Sequence, residues 1–305
     1  MEQDQTNYRS GFVAVMGKPN VGKSTLLNAL LGTKVAAVSP WPQTTRKRQM
    51  GILSLENAQI IFIDTPGVHQ PLHKLGEYMN QEAADVLEES DIALLVVDAT
   101  EKPDEEDLML INLLKEMGVG LHKLVALNKI DLINQERLSE NQQTYEKLLS
   151  QSEFVPISAT QGQNLDLLIN KIVAVLPEGP PFFPEDQITD LYEREIAADL
   201  IREAVLYHLR EEVPHSIAVR IDEYRERNHQ GAYIAATLFV ERESQKGIVI
   251  GQGGIMLKEI GTAARHEIET MSGRKVYLKL RVKVRKNWRN DESSLQLFGF
   301  GKQRG

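Results

Sequence analysis

The chain has 305 residues, is 42% hydrophobic and 26% charged, and carries a formal net charge of −8. This is the make-up of a globular protein long enough for two domains, and it excludes disordered and low-complexity classes. The absence of cysteine excludes disulfides, thiolate catalysis and Cys-ligated zinc. No apolar run reaches about 18 residues, and the polar, acidic start from Met1 to Tyr8 does not read as a secretory signal, so a cytosolic location is expected.

In chain order, residues 1–10 read as a flexible N-terminus, followed by an apolar strand, Gly11–Met16. Immediately after it stands Gly17-Lys-Pro-Asn-Val-Gly-Lys-Ser24, and a helix is expected over 23–31. A Gly-x-x-x-x-Gly-Lys-Ser run between strand and helix is the setting of a phosphate-binding loop. Its glycines let the backbone wrap phosphate, and successive N–H groups form an anion nest at the helix N-terminus. Gly17, Lys18, Pro19, Asn20, Val21, Gly22, Lys23 and Ser24 are therefore taken as nucleotide-binding, with Lys23 reaching the β- and γ-phosphates and the Ser24 hydroxyl placed for Mg²⁺.

The polar loop Pro42-Gln-Thr44-Thr45-Arg-Lys47 follows, in which Thr45, in preference to Thr44, is expected to cap Mg²⁺ when a γ-phosphate is present. A strand near 51–55 should form an antiparallel hairpin with 59–63, at the edge of a mixed sheet. Asp64-Thr65-Pro66-Gly67 comes next: Asp64 is the magnesium-side carboxylate, and the Gly67 N–H can meet the γ-phosphate. The two loops, around 42–47 and 64–68, have the character of switches that γ-phosphate orders. The position after Gly67 is Val68, which cannot hold a water by hydrogen bonding, so slow intrinsic hydrolysis is expected. Lys23, Thr45, Gly67 and Asn20 make up the catalytic set.

Helices near 76–89, 104–117, 135–150 and 164–176 alternate with strands 92–97, 123–127 and 154–157. The pattern predicts an α/β P-loop NTPase domain, with a mixed, mostly parallel sheet covered by helices on both faces. After the strand 123–127 stands Asn128-Lys129-Ile-Asp131. The Asp131 carboxylate accepts hydrogen bonds only, so it suits the N1–H and exocyclic amine of guanine and disfavours adenine. Asn128 can serve the base and brace the phosphate loop, and the Lys129 stem can cover the ring. Ser158-Ala159-Thr160, after the last strand, would bring a backbone N–H to guanine O6.

Four prolines between 176 and 185 end the first domain, giving boundaries of 11–178 for the nucleotide domain and 179–189 for a linker. Beyond it the order is α-β-β-α-α-β: a helix near 190–211, strands 216–224 and 232–243, a short helix, a longer one over 255–271 and a strand 276–285. Charge changes with it. Residues 1–189 hold 15 basic against 26 acidic side chains, net −11; residues 190–305 hold 20 against 17, and 242–289 alone 12 against 4, net +8. Such asymmetry is the footprint of a domain that meets phosphate backbones.

Between the two late helices lies Gly251-Gln252-Gly253-Gly254, a Gly-x-x-Gly turn of the kind with which KH domains clamp about four single-stranded nucleotides. The helix order points to an α+β, type II KH domain over 190–289, with a C-terminal tail at 290–305. In the last strand Val276, Leu278, Leu280, Val282 and Val284 alternate with Tyr277, Lys279, Arg281, Lys283 and Arg285. The RNA-binding set is Ile248, Ile250, Gly251, Gln252, Gly253, Gly254, Lys258, Lys279, Arg281 and Lys283. Histidines, including His69, His215 and His266, show no ligand spacing, and Trp41 and Trp288 read as packing residues rather than RNA-stacking ones.

The phosphate loop, Pro42-Gln-Thr-Thr-Arg46, Asp64-Thr-Pro-Gly-Val-His69, Asn128-Lys-Ile-Asp131 and the C-terminal Gly-x-x-Gly, in this order, resemble the translation-factor-like class of GTPases and, within it, the bacterial Era-type GTPases. The resemblance runs from about Gly11 to the last strand. It implies a GTP/GDP switch with Mg²⁺, and K⁺ held through Asn20 to neutralise charge developing during hydrolysis. It also implies binding to the single-stranded 3′ end of small-subunit rRNA and a role in assembly of the 30S ribosomal subunit. A peripheral contact with the inner membrane is implied too, and a monomer is expected. The other class of function left open here is a GTPase that signals to a protein or membrane partner, with the KH-like module as an interaction domain.

Overall fold

A computed structural model describes residues 8–39, 44–117, 120–189, 193–227 and 231–300. They form two compact units: one of residues 1–33, 45–70 and 79–190, the other of 34–44, 71–78 and 191–305.

The first unit is built on six strands: β1 (Arg9–Met16), β2 (Gln49–Ser54), β3 (Ala58–Asp64), β4 (Ile92–Asp98), β5 (His122–Asn128) and β6 (Glu153–Pro156). Their order is β2-β3-β1-β4-β5-β6, parallel throughout except for β2, which pairs antiparallel with β3. The helices are α1 (Lys23–Leu31), α2 (Lys74–Glu88, in this unit from Met79 onward), α3 (Glu105–Glu116), α4 (Gln135–Leu148) and α5 (Leu165–Val175). Strands buried on both faces read as unbroken apolar runs, and every residue of Ile92–Asp98 is buried. Ala14, Met16, Leu95, Val97, Val125 and Leu127 join Ala83, Val86, Leu110, Ile111 and Leu114 from α2 and α3 in one core. The alternate residues Val13, Val15, Leu94 and Val96 are equally buried, as are Leu26 and Leu27 of α1 and Leu168 and Ile172 of α5. The expected mixed sheet and edge hairpin are both present.

β1 lies between β3 and β4, so the loops leaving β1 and β3 open a crevice at their carboxyl ends, where doubly wound sheets bind ligands. The strand starts earlier than the sequence suggested: Arg9 and Ser10 pair with Ala58 and Gln59, because ladder bonding uses backbone and tolerates polar side chains. The proline-rich stretch is no free tether. Gln59 is fully buried, and its Oε1 accepts from the Phe182 and Phe183 N–H groups at 2.8 and 3.0 Å. Ile52 N–H donates to the Ile188 carbonyl at 2.7 Å, and the Thr189 hydroxyl to that of Met50 at 2.6 Å.

The second unit contains α6 (Glu193–His208), β7 (Ala218–Arg227), β8 (Gly231–Val240), α7 (Glu243–Ile250), α8 (Ile255–Ser272), β9 (Lys275–Val284) and α9 (Glu292–Leu297). β7 pairs antiparallel with β8, and β9 parallel with β8. Ile196, Leu200 and Ile201 of α6, Val249 of α7 and Ile260, Ala264 and Ile268 of α8 pack on one face of this sheet. The α-β-β-α-α-β order is that of a type II KH domain. The helix α9 falls in what read as a tail; its N-cap Asp291 accepts from Ser294 N–H at 2.9 Å, and just before it in the chain stands Trp288. That indole is fully buried, donates to the Ser216 carbonyl at 2.7 Å and meets Phe298 edge-on at 5.3 Å. Trp41, Pro42, Gln43 and the ends 1–7 and 301–305 lie outside the described residues.

Candidate functional site

The loop from Gly17 to Ser24 leaves β1 and enters α1 through Gly22, a left-handed N-cap (φ 101°) with no side chain to cap the helix. The first-turn N–H groups of α1 are therefore left to an anion, with the helix dipole behind them. Gly22 is also a close approach: a Cβ there would stand 2.4 Å from Asn128 Nδ2. Within the loop the Lys23 ammonium is buried and donates to the carbonyls of Gly17 and Lys18 at 2.9 and 3.0 Å. Burial pushes its pKa down to about 8, against the pull of Asp64 and Glu106.

Three oxygen-bearing side chains from three segments converge beside it. Ser24 Oγ is 3.0 Å from Thr45 Oγ1 and donates to Asp64 Oδ2 at 2.8 Å; Thr45 Oγ1 donates to the same oxygen at 3.1 Å. Asp64 is fully buried, which pushes its pKa up although Lys23, Ser24 and Thr45 favour the carboxylate. Its second oxygen, Oδ1, is buried with no hydrogen-bond partner. An oxygen-only set with an orphaned carboxylate oxygen fits a hard divalent cation such as Mg²⁺. The Thr44 hydroxyl lies 2.9 Å from Ser39 Oγ.

After Asp64, the Thr65 hydroxyl donates to the Val15 carbonyl at 2.9 Å, and Pro66, Gly67 and Val68 are buried. Gly67 passes Pro19 so closely that a Cβ would lie 2.9 Å from its nitrogen. Val68 packs into the core of α2 and α3. Asn20, on the exposed side of the loop, takes a left-handed backbone (φ 65°).

On the base side, Asn128 is buried and ties two loops together. Its Nδ2 donates to the Val21 carbonyl at 2.8 Å, and its Oδ1 accepts from Ala159 N–H at 3.0 Å. Lys129 turns left-handed (φ 69°), and its ammonium bonds Asp98 at 2.6 Å. Burial opposes ionisation of Asp98, but Lys129 and Thr100 outweigh it and hold the carboxyl below its usual range. Asp131 is exposed in the turn Ile130–Leu132. Ser158 is buried 3.2 Å from the Thr160 hydroxyl.

One arrangement had no counterpart among the sequence motifs. The Lys18 ammonium meets Asp104 at 2.6 Å, Asp107 at 3.0 Å and Glu101 at 3.4 Å. Its side chain thus anchors the loop to α3. Asp104 and Asp107 also form the capping box of α3. The spacing Asp104-x-x-Asp107 is a legible cap; its pairing with a lysine 86 positions away is not.

In the second unit, Gly251 turns the chain out of α7 (φ 72°), where a Cβ would stand 2.7 Å from that of Met256. At Gly253 and Gly254 a Cβ would meet open space. Gly254 starts α8 without a side-chain cap, repeating the anion-ready geometry of α1. Ile248 and Ile255 flank the turn, 51% and 59% exposed, with Lys258 exposed one turn on and Ile250 half-buried. The structure does not bring the whole predicted RNA-binding set together. Val276, Leu278, Leu280 and Val282 face the layer that carries the glycine turn, so Lys279, Arg281 and Lys283 stand on the opposite face of the sheet.

Fold and site together define a P-loop GTPase carrying a KH module. Residues 12–129 match the family model described as "50S ribosome-binding GTPase", and residues 212–289 match that of the KH domain. The GTPase Era of Staphylococcus haemolyticus is 44% identical over 295 residues, 97% of this chain and 98% of its own. That of Heliobacterium modesticaldum is 46% identical over 292 residues, 96% and 97% of the two chains. A crystal structure of Era in complex with MgGDPNP and nucleotides 1506–1542 of 16S ribosomal RNA shares 44% identity and a TM-score of 0.91, covering 97% of this chain and all of that one. An Aquifex aeolicus Era variant bound to GDP·AlF₄⁻ has the same TM-score and identity, over 96% of this chain and all of that one. The chain belongs to the Era family of GTPases.

Proposed function

We propose that this GTPase is a nucleotide-switched RNA-binding protein that holds the single-stranded 3′ region of small-subunit rRNA in its KH module and acts in assembly of the 30S subunit. The observation that carries the reading is the match along the whole chain to an Era solved with 16S rRNA nucleotides and MgGDPNP. That RNA segment is far longer than the roughly four nucleotides a KH cleft clamps.

Lys23 and the first-turn N–H groups of α1 hold the β- and γ-phosphates, and Asp131 pairs the guanine donors while Asn128 braces the phosphate loop. Ser24, Thr45 and Asp64 are the residues that would hold Mg²⁺, which when bound neutralises charge between the β- and γ-oxygens. Val68, committed to packing, leaves the attacking water without a side-chain partner at that position, so turnover is slow. K⁺ near Asn20 offsets the developing charge; equal turnover in K⁺ and Na⁺ buffers would remove this role. The protein is assigned to the cytoplasm as a monomer, with peripheral contact at the inner membrane. Among the described residues no helix is long and apolar enough to cross a membrane.

The test is equilibrium binding of the full chain to an oligonucleotide of the small-subunit rRNA 3′ end over a range of salt. Tight binding that falls steeply with salt is expected. Absence of any salt-sensitive binding would sink the RNA reading in favour of a protein-signalling GTPase.

A further inference from the structure

Lys279, Arg281 and Lys283 project from the sheet face opposite the helices, and among the described residues none of the three makes an ion pair. Alternate residues of one strand lie about 7 Å apart, so the row is a straight line of positive charge. Tyr277 continues it, 65% exposed, and stacks on its register partner Tyr233 with ring centroids 5.7 Å apart and planes at 12°. The exposed Tyr277 ring gains nothing by facing water, and a base stacked on it would be worth more than its area alone.

Register brings small side chains beside the cations: Ala235 lies opposite Lys279, and Thr237 opposite Arg281. A hollow of about 540 Å³ is lined by Tyr233, Ala235 and Arg281 together with Arg194, Glu223 and Arg225. The acidic groups on this face are already matched. Asp222 is held by Arg220 at 2.6 Å and by the Thr237 hydroxyl, and Glu223 by Arg225. What remains for a partner is the cationic row and the exposed ring of Tyr277.

We propose that this open sheet face is a second RNA-binding surface, which takes the phosphates and a stacked base of the strand where it continues beyond the nucleotides at Gly-x-x-Gly. The assignment rests on the RNA-binding reading above and adds a separate surface to it. Complementary charge in a straight row favours a phosphate backbone, and stacking without base-edge donors makes the contact tolerant of sequence.

The experiment compares two single-stranded RNAs from the small-subunit rRNA 3′ end with the full chain. One is about the length of a KH footprint, the other roughly three times as long. Wild type should bind the longer RNA more tightly. Lys279→Gln/Arg281→Gln/Lys283→Gln, and separately Tyr277→Ala, should weaken the longer RNA about tenfold and leave the shorter one unchanged. The triple variant should also lower the salt slope by about two to three. These side chains are exposed, so the fold should survive. Gly253→Asp should weaken both RNAs. Wild-type binding of the longer RNA by the sheet variants would overturn the second surface while the RNA reading stands. Equal weakening of both RNAs would overturn it too, by merging the row with the cleft. Normal RNA binding with lost retention on phosphatidylglycerol vesicles would reassign the face to anionic lipid. Failure of wild type to bind either RNA would remove the reading on which the proposal rests.

Discussion

Lys18→Met should reveal how much the phosphate loop depends on its anchor at α3. The side chain of Lys18 is 9% exposed and that of Asp107 fully buried. Removing one member of a buried pair costs about 3–5 kcal/mol, mostly because the other charge is left unmatched. Asp104 and Glu101, half-exposed, add little. Asp107 has an escape route: burial already pushes its pKa up even with Lys18 beside it, and without the lysine it takes a proton. A raised carboxyl pKa means that the variant regains stability as pH falls through that value and loses it as pH rises. The expected loss is therefore about 3 kcal/mol near pH 8, and clearly less near pH 5.5. Urea denaturation read by circular dichroism measures it, in the transition that added GDP shifts upward. Lys18→Arg should retain most of the stability. A loss of the same size at both pH values, or none, would mean that the Lys18–Asp107 pair does not hold the loop in this way.

The other predictions concern the nucleotide and RNA sites. Asn128→Ala strips bonds from the buried Val21 carbonyl and Ala159 N–H, and at about 1–3 kcal/mol for each orphaned group GDP affinity should drop at least tenfold in a fluorescent-nucleotide titration. Lys23, pushed down to about 8 by burial, loses its proton in the empty protein above that pH and must regain it to meet phosphate. Nucleotide affinity should accordingly fall about tenfold from pH ~7 to ~9, and a flat profile would contradict the assignment. Gly253→Asp puts a carboxylate where a Cβ now meets open space; RNA affinity should fall by more than tenfold, with intrinsic GTP turnover unchanged.

Local chemistry was legible wherever one segment carries the whole signal. The alternation of Val276 to Arg285 foretold a strand with one apolar and one basic face, and Gly17 to Ser24 foretold a loop entering a helix. What depended on distant partners was not. Arg9 and Ser10 looked like a polar end, but ladder bonds to Ala58 and Gln59 make them strand. The prolines after Leu176 forbade helix and suggested a tether, while buried Gln59 holds that stretch by three hydrogen bonds. Lys18 read as one more phosphate-loop residue until Asp104 and Asp107 came within reach. Gly-x-x-Gly and the basic row are about 25 residues apart and both suit RNA; only the sheet reveals that they occupy opposite faces.

In the proposed function, one chain couples guanine nucleotide to the hold on small-subunit rRNA. Crosslinking of the full protein to the rRNA 3′ end with GTP, with GDP and without nucleotide tests it most directly. Crosslinks are expected at Ile248–Ile255, with a yield that changes between the GTP and GDP states. No crosslink in that segment, or equal yields in all three states, would contradict it.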